Sequence, residues 1–222
     1  MTEKALIIGA SGGIGAALVA ELDRKGAEVT GLSRSGDGLD VTDEDSIAAH
    51  LGRLDGPFDR IVVATGALEI GGAVPEKALK QLSGISMVDQ FRLNTVGPAM
   101  ILKHGLRLLP RERRSVFAVL SARVGSIGDN RLGGWISYRT AKAAVNQVVH
   151  TAAIEIGRTH KQAICVVLHP GTVQTRFTEK YVGRHPAVPP ADAAGHLVTV
   201  MDRLTPSETG GFFDWAGKPV PW

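Results

Sequence analysis

Two side chains in the run SYRTAKAAVNQ could move a proton: Tyr138 and Lys142, four residues apart. On a helix, residues four apart share a face, so the phenol and the ammonium would meet in one site. An ammonium beside a phenol stabilises the phenolate and lowers the phenol's pKa from its ordinary value of about 10. That makes the tyrosine a usable general acid or base near neutral pH. Such a pair alone arises often by chance. Here it shares the chain with the glycine-rich run GASGGIG at residues 9–15, between a strand-like apolar run and a helical pattern. Glycines permit a tight turn and let backbone N–H groups reach a pyrophosphate at a helix N-terminus. Gly9, Gly13 and Gly15 fit one dinucleotide spacing; Gly9, Gly12 and Gly15 fit another.

The elements that must position these groups follow from the apolar pattern. Strands are predicted at 5–10, 27–33, 60–65, 115–120, 163–168 and 211–215. Helices are predicted at 14–22, 43–54, 88–109, 135–158 and 191–204, with Thr42 as N-cap of the second and Asp45 at its N3 position. Residues 66–74, 121–134 and 172–190 read as loops. The strands are apolar runs without alternation, as expected when both faces are buried, which implies a parallel sheet with helices on both sides. Right-handed crossovers then give a single-domain, Rossmann-type α/β fold, a doubly wound sheet that binds ligands beyond the carboxyl ends of its strands. Residues 9–15, Ser33 and Arg34, residues 64–66, Ser121 and residues 170–175 all fall at those ends.

The chain of 222 residues is 44% hydrophobic and 21% charged, with a formal charge of +3, the profile of a globular domain. Arg111, Arg113 and Arg114 form one short basic cluster without an aromatic platform, read as a solvated turn; no nucleic-acid partner is expected. No apolar run is long enough to span a membrane. The strand pattern starting at residue 5 leaves no room for a signal peptide, and the lone Cys165 suits a buried strand in a reducing cytoplasm.

With these motifs in this order, the chain resembles the short-chain dehydrogenase/reductase family, over essentially its whole length. Within it, DNRLGGWISYRTAKAAVNQ and LHPGTVQT resemble the C-factor-like and sniffer-like carbonyl reductase branch. The resemblance implies a nicotinamide cofactor and hydride transfer to or from a carbonyl or alcohol carbon. By it, Tyr138 protonates the carbonyl oxygen. Lys142 lowers the phenol's pKa and holds the nicotinamide ribose. Asn94 kinks its helix and holds a water in the proton relay. Asp40, with the Val41 backbone, contacts adenine, while Pro170, Gly171, Val173 and Thr175 clamp the nicotinamide. The cofactor set further includes Gly9, Ser11, Gly12, Gly13, Ile14 and Gly15 in the turn and Ala64, Thr65 and Gly66 after the third strand. Homodimers or homotetramers through the helices at 88–109 and 135–158 are also implied.

Two departures stand out. The family's Asn-Asn-Ala-Gly is Val63-Ala64-Thr65-Gly66, so side-chain support for that strand end must come from elsewhere. The family's catalytic serine position, counted back from Gly125, is Ala122. Ser121, one residue earlier, is the expected catalytic hydroxyl if a bulge turns it inward, and Ser126 is the fallback. No acidic residue stands at the end of the second strand. Ser33 and Arg34 suit a 2′-phosphate, so NADP(H) is expected ahead of NAD(H). Two other readings remain: a C-factor-like signalling or sensor protein that binds dinucleotide with little turnover, and a nucleotide-sugar epimerase or dehydratase. The loop after Thr175 and the apolar ending GGFFDWAGKPVPW are expected to shape the substrate pocket. His104 and His169 read as structural, and no metal-ligand spacing occurs.

Overall fold

The computed structural model describes residues 2–175, 178 and 187–222. Six parallel strands form one sheet: β1 (Lys4–Ile8), β2 (Glu28–Leu32), β3 (Arg60–Val63), β4 (Ser115–Leu120), β5 (Ala163–His169) and β6 (Phe212–Asp214). Their order is β2-β1-β3-β4-β5-β6. All six predicted strands are present. The chain leaves β1 in one direction to form β2 and returns to the other side to form β3. The crevice at this reversal is where doubly wound sheets bind ligands, and the glycine turn opens into it.

Strand parity sorts the core into two layers. Leu6, Ile8, Ile61, Val63, Phe117, Val119, Cys165 and Val167 pack with α3 (Glu44–Gly52), α5 (Gly97–Gly105) and α6 (Ile136–Thr159). Ala5, Ile7, Val62, Val116, Ala118, Ile164 and Val166 pack with α1 (Gly13–Arg24) and α7 (Pro190–Arg203). β1, β3, β4 and β5 are buried on both faces and cannot alternate polar and apolar residues, which explains their continuous runs; β2, at the sheet edge, is only partly buried.

Several boundaries differ from the sequence reading. The short α2 (Arg34–Asp37) was not anticipated. The N-cap of α3 is Asp43, whose carboxylate accepts the Asp45 N–H at 3.0 Å; Thr42 instead donates its N–H and hydroxyl to Asp40. The helix expected at 88–109 begins earlier, as α4 (Gly84–Phe91), continues as a π-helical turn (Arg92–Val96) into α5, and tightens to a 3-10 turn at Leu106–Leu108. The basic cluster is not a solvated turn throughout. Arg113 pairs with Asp59 at 2.7 Å, and Arg114 donates to the carbonyls of Met201 and Leu204 at the end of α7. No helix among the described residues is long and apolar enough to cross a membrane.

Candidate active site

The carboxyl ends of β1, β3, β4 and β5 surround a cleft of about 630 Å³. Its floor begins with the glycine turn. Gly9 has φ +92°, and a Cβ there would lie 2.9 Å from the Ala64 carbonyl oxygen. A Cβ at Gly15 would overlap the Gly9 carbonyl oxygen, and one at Gly13 would come to 2.6 Å from Thr175 Cγ2, whereas Gly12 is less confined. The tight positions are therefore Gly9, Gly13 and Gly15, which decides between the two spacings. No side chain caps the start of α1 and its first turn carries no acidic residue, an arrangement that suits an anion at this helix N-terminus. Ser11, Gly12, Gly13 and Ile14 line it; Gly9 and Gly15 lie behind it.

Tyr138 and Lys142 reach the same cleft from α6. Lys142 Nζ stands 5.7 Å from the centre of the Tyr138 ring and donates to the Leu120 carbonyl at 3.2 Å. Both side chains are buried. Burial pushes the Tyr138 phenol up and pulls the Lys142 ammonium down to about 8. This revises the expectation of a lowered phenol: burial sets the direction, and the tyrosine is neutral beside a lysine still charged at pH 7. The helix starts from Trp135, which has φ +51°, a conformation that costs a non-glycine residue about 1–3 kcal/mol.

Ser121 needs no bulge. Phe117 and Val119 point to the α6 layer, and Ser121 continues their parity, with its N–H donating to the Leu168 carbonyl at 2.9 Å. Its hydroxyl is buried in the cleft wall without a hydrogen-bond partner. Ser126 is buried elsewhere and caps a turn by accepting the Asp129 N–H at 3.0 Å; it does not line the cleft. By the same parity Thr65 and His169 fall on the α6 side of β3 and β5. Both line the cleft, and Thr65 Oγ1 and His169 Nδ1 are buried and unpartnered. The His169 imidazole is held near 4 by burial, with the charge of Arg123 adding to it, and is neutral at pH 7.

Asn94 is fully buried in the π-helical turn. Its amide nitrogen donates to the Ala67 carbonyl at 2.9 Å and to Gln90 Oε1 at 2.7 Å, and its oxygen accepts the Ala67 N–H at 3.2 Å. Gln90 in turn donates to the Leu68 carbonyl at 2.9 Å. These two side chains hold the backbone at 67–68, just beyond the end of β3. Both amide protons of Asn94 are used within the protein, and Asn94 does not itself line the cleft.

The second strand ends differently from expectation. Ser33 is buried; its hydroxyl accepts the Gly36 N–H at 3.0 Å and donates to Asp37, whose carboxylate also accepts the Ser33 N–H at 2.7 Å. The serine is thus engaged in capping α2, and an acidic residue does stand at this strand end, brought back by the turn. Arg34 is exposed, and its charge helps hold the nearby Asp40 carboxyl below the usual range, after the two Thr42 hydrogen bonds. Asp40 and Val41 lie apart from the central cleft, against the start of α5, where a Cβ at Gly97 would come to 2.5 Å from the Val41 carbonyl oxygen.

Ala64, Gly66, Pro170, Gly171, Val173 and Thr175 line the cleft as expected. Ala122, the family's serine position, lines it too; Leu120 and Thr178 also do and were not singled out, since only their neighbours in sequence could have pointed to them. Most of the loop after Thr175, residues 176–177 and 179–186, lies outside the described residues. Among the described residues no acidic, histidine or cysteine cluster could hold a metal ion.

Residues 9–211 match a family model described as enoyl-(acyl carrier protein) reductase. The 1-hydroxy-2-glutathionyl-2-methyl-3-butene dehydrogenase of a Rhodococcus species is 30% identical over 230 residues, spanning 98% of each chain. The C-signal protein of Myxococcus xanthus is 32% identical over 145 residues, 65% of this chain and 84% of that one. The NADPH-bound carbonyl reductase from chicken fatty liver superposes with a TM-score of 0.83 at 21% identity, over 100% of this chain and 94% of the other, a likeness of fold.

Proposed function

Because the chain belongs to the short-chain dehydrogenase/reductase family, we propose that it is an NADP(H)-dependent oxidoreductase of the carbonyl reductase type. The observation that carries this reading is the meeting of Tyr138, Lys142 and the unpartnered Ser121 hydroxyl in one cleft, opposite an uncapped helix N-terminus. The residues present fit a dinucleotide: the glycine turn leaves a cradle that side chains would fill, and the start of α1 suits its pyrophosphate. Arg34 suits a 2′-phosphate, and the chicken reductase of the same fold carries NADPH. Pro170, Gly171, Val173 and Thr175 would fix the nicotinamide end.

Bound there, NADPH supplies a hydride to a carbonyl carbon, and its oxidised form takes one from an alcohol carbon. The chain's own residues handle the oxygen. Ser121 donates its hydroxyl proton to a hydrogen bond with the carbonyl oxygen, a kind of contact whose loss costs about 10²–10³ in rate. The neutral Tyr138 gives its proton to that oxygen as negative charge develops. The Lys142 ammonium stabilises the phenolate left behind, and the Leu120 carbonyl holds the ammonium in place. Asn94 and Gln90 act by fixing the 67–68 backbone. Association through α4, α5 and α6 is part of the same proposal.

The test is NADPH oxidation against a panel of aldehydes and ketones, with the reverse reaction on alcohols, including the alcohol named for the Rhodococcus relative. Turnover is expected, and Tyr138→Phe should lower it at least about 10²-fold with NADPH affinity unchanged. Binding of NADPH without turnover of any substrate would favour the second reading, a dinucleotide-binding signalling protein, which the 32% identity to C-signal supports.

A further inference from the structure

The helix that presents Tyr138 has an unusual entrance. Gly133, Gly134 and Trp135 have φ of +63°, +66° and +51°, three consecutive left-handed residues before the first helical one. The N-cap side chain makes no capping bond, and the first turn carries no acidic residue. Left alone, such an entrance frays, because the first N–H groups have no partner and the left-handed backbone must be held by its surroundings.

The holding group comes from the loop between β3 and α4. Glu76 is only 6% exposed. Its backbone carbonyl accepts the Trp135 N–H at 2.5 Å. Its carboxylate accepts the Ser137 N–H at 3.3 Å and the Ser137 hydroxyl. No ion pair joins this carboxylate to a cation among the described residues. Its partners are the start of α6, where the helix dipole favours an acidic group. Glu76, Ser137 and Tyr138 line one small cavity beside the main cleft.

We propose that Glu76 is a positioning residue: it caps α6 from 60 residues away and thereby sets where the Tyr138 phenol stands in the cleft. Tyr138 follows Ser137 directly, so a shift of the first turn moves the phenol. A displacement of about 1 Å is enough to cost about 10²-fold in rate. This inference rests on the proposed role of Tyr138 in proton transfer.

Glu76→Ala, Glu76→Gln and Ser137→Ala test it, read by kcat and KM for a carbonyl substrate, NADPH binding, and amide hydrogen exchange at residues 135–139. Glutamine can keep both contacts, its oxygen accepting the Ser137 N–H and its amide donating to the Ser137 hydroxyl. Glu76→Ala should lower kcat by about 10–10²-fold, with KM and NADPH affinity little changed, and speed exchange at the start of α6. Glu76→Gln should restore most of both. Wild-type kcat in Glu76→Ala, a glutamine variant as impaired as alanine, or NADPH affinity falling in step with kcat would each overturn the proposal. Should Glu76→Ala fail to fold, Ser137→Ala decides, since it deletes one hydroxyl; a smaller loss confined to kcat supports the proposal and no loss refutes it. If the wild type turns over no substrate, the exchange measurement still tests the cap, and only the reading of Tyr138 falls.

Discussion

Lys142 is where burial and chemistry pull in opposite directions. Its folded pKa of about 8 lies below the ordinary lysine value of 10.5 because the ammonium is desolvated. The charged form is therefore destabilised in the fold. That penalty is fully present below about pH 8 and is relieved as pH rises from there towards 10.5. Lys142→Met should accordingly stabilise the protein at pH 7, by up to about 3 kcal/mol, with the gain shrinking above pH 8; denaturant melts at several pH values would show it. Activity should move the other way: kcat/KM should fall as pH rises through about 8, as the charge behind Tyr138 is lost. Arg34 carries the other residue-level expectation. With Ser33 engaged by Asp37, the guanidinium alone favours a 2′-phosphate. Arg34→Glu should raise KM for NADPH far more than for NADH, and equal changes would remove the basis for an NADP(H) preference. The lysine–tyrosine pair was legible from its spacing. The Asp37 carboxylate was not, because it reaches the strand end only after α2 turns the chain back.

At the scale of elements, parity did what local pattern could not. Ser121 lies one position away from the family's serine, and spacing alone left its face open. In the sheet, the sequence Phe117, Val119, Ser121 puts it on the α6 side, since successive residues of a strand point to opposite faces. The π-helical turn at Arg92–Val96 was likewise invisible to apolar periodicity, which continues smoothly through it. The glycine turn was legible, and the structure adds the reason for each tight position. Glycine to alanine inside a helix is ordinarily stabilising by about 1 kcal/mol. At Gly15 the sign should reverse, because the new methyl would overlap the Gly9 carbonyl oxygen. Gly15→Ala should destabilise by about 1–3 kcal/mol and weaken NADPH binding; chemical denaturation and a cofactor titration measure the two effects.

On the scale of the whole molecule, the cleft draws on the ends of four strands and on α1 and α6, so a ligand that fills it ties the two layers together. NADPH at about one hundred times its Kd should stabilise the fold by about 2.7 kcal/mol and raise Tm by roughly 5–10 °C. NADH at the same concentration should raise it less, and thermal shift measurements with both would compare them directly. The sequence by itself determined the six strands, five of them mostly buried, the alternation with helices and the placement of glycine turn, tyrosine and lysine around the cleft. Those are consequences of local chemistry: which runs are apolar, which turns need glycine, which side chains ionise. Only the tertiary structure decided that Ser121 lies in the cleft wall, that Asn94 and Gln90 hold the 67–68 backbone, that burial keeps Tyr138 protonated, and that Glu76 meets the start of the helix that carries Tyr138. Each of these depends on contacts between residues far apart in the chain, and on how little water remains where they meet.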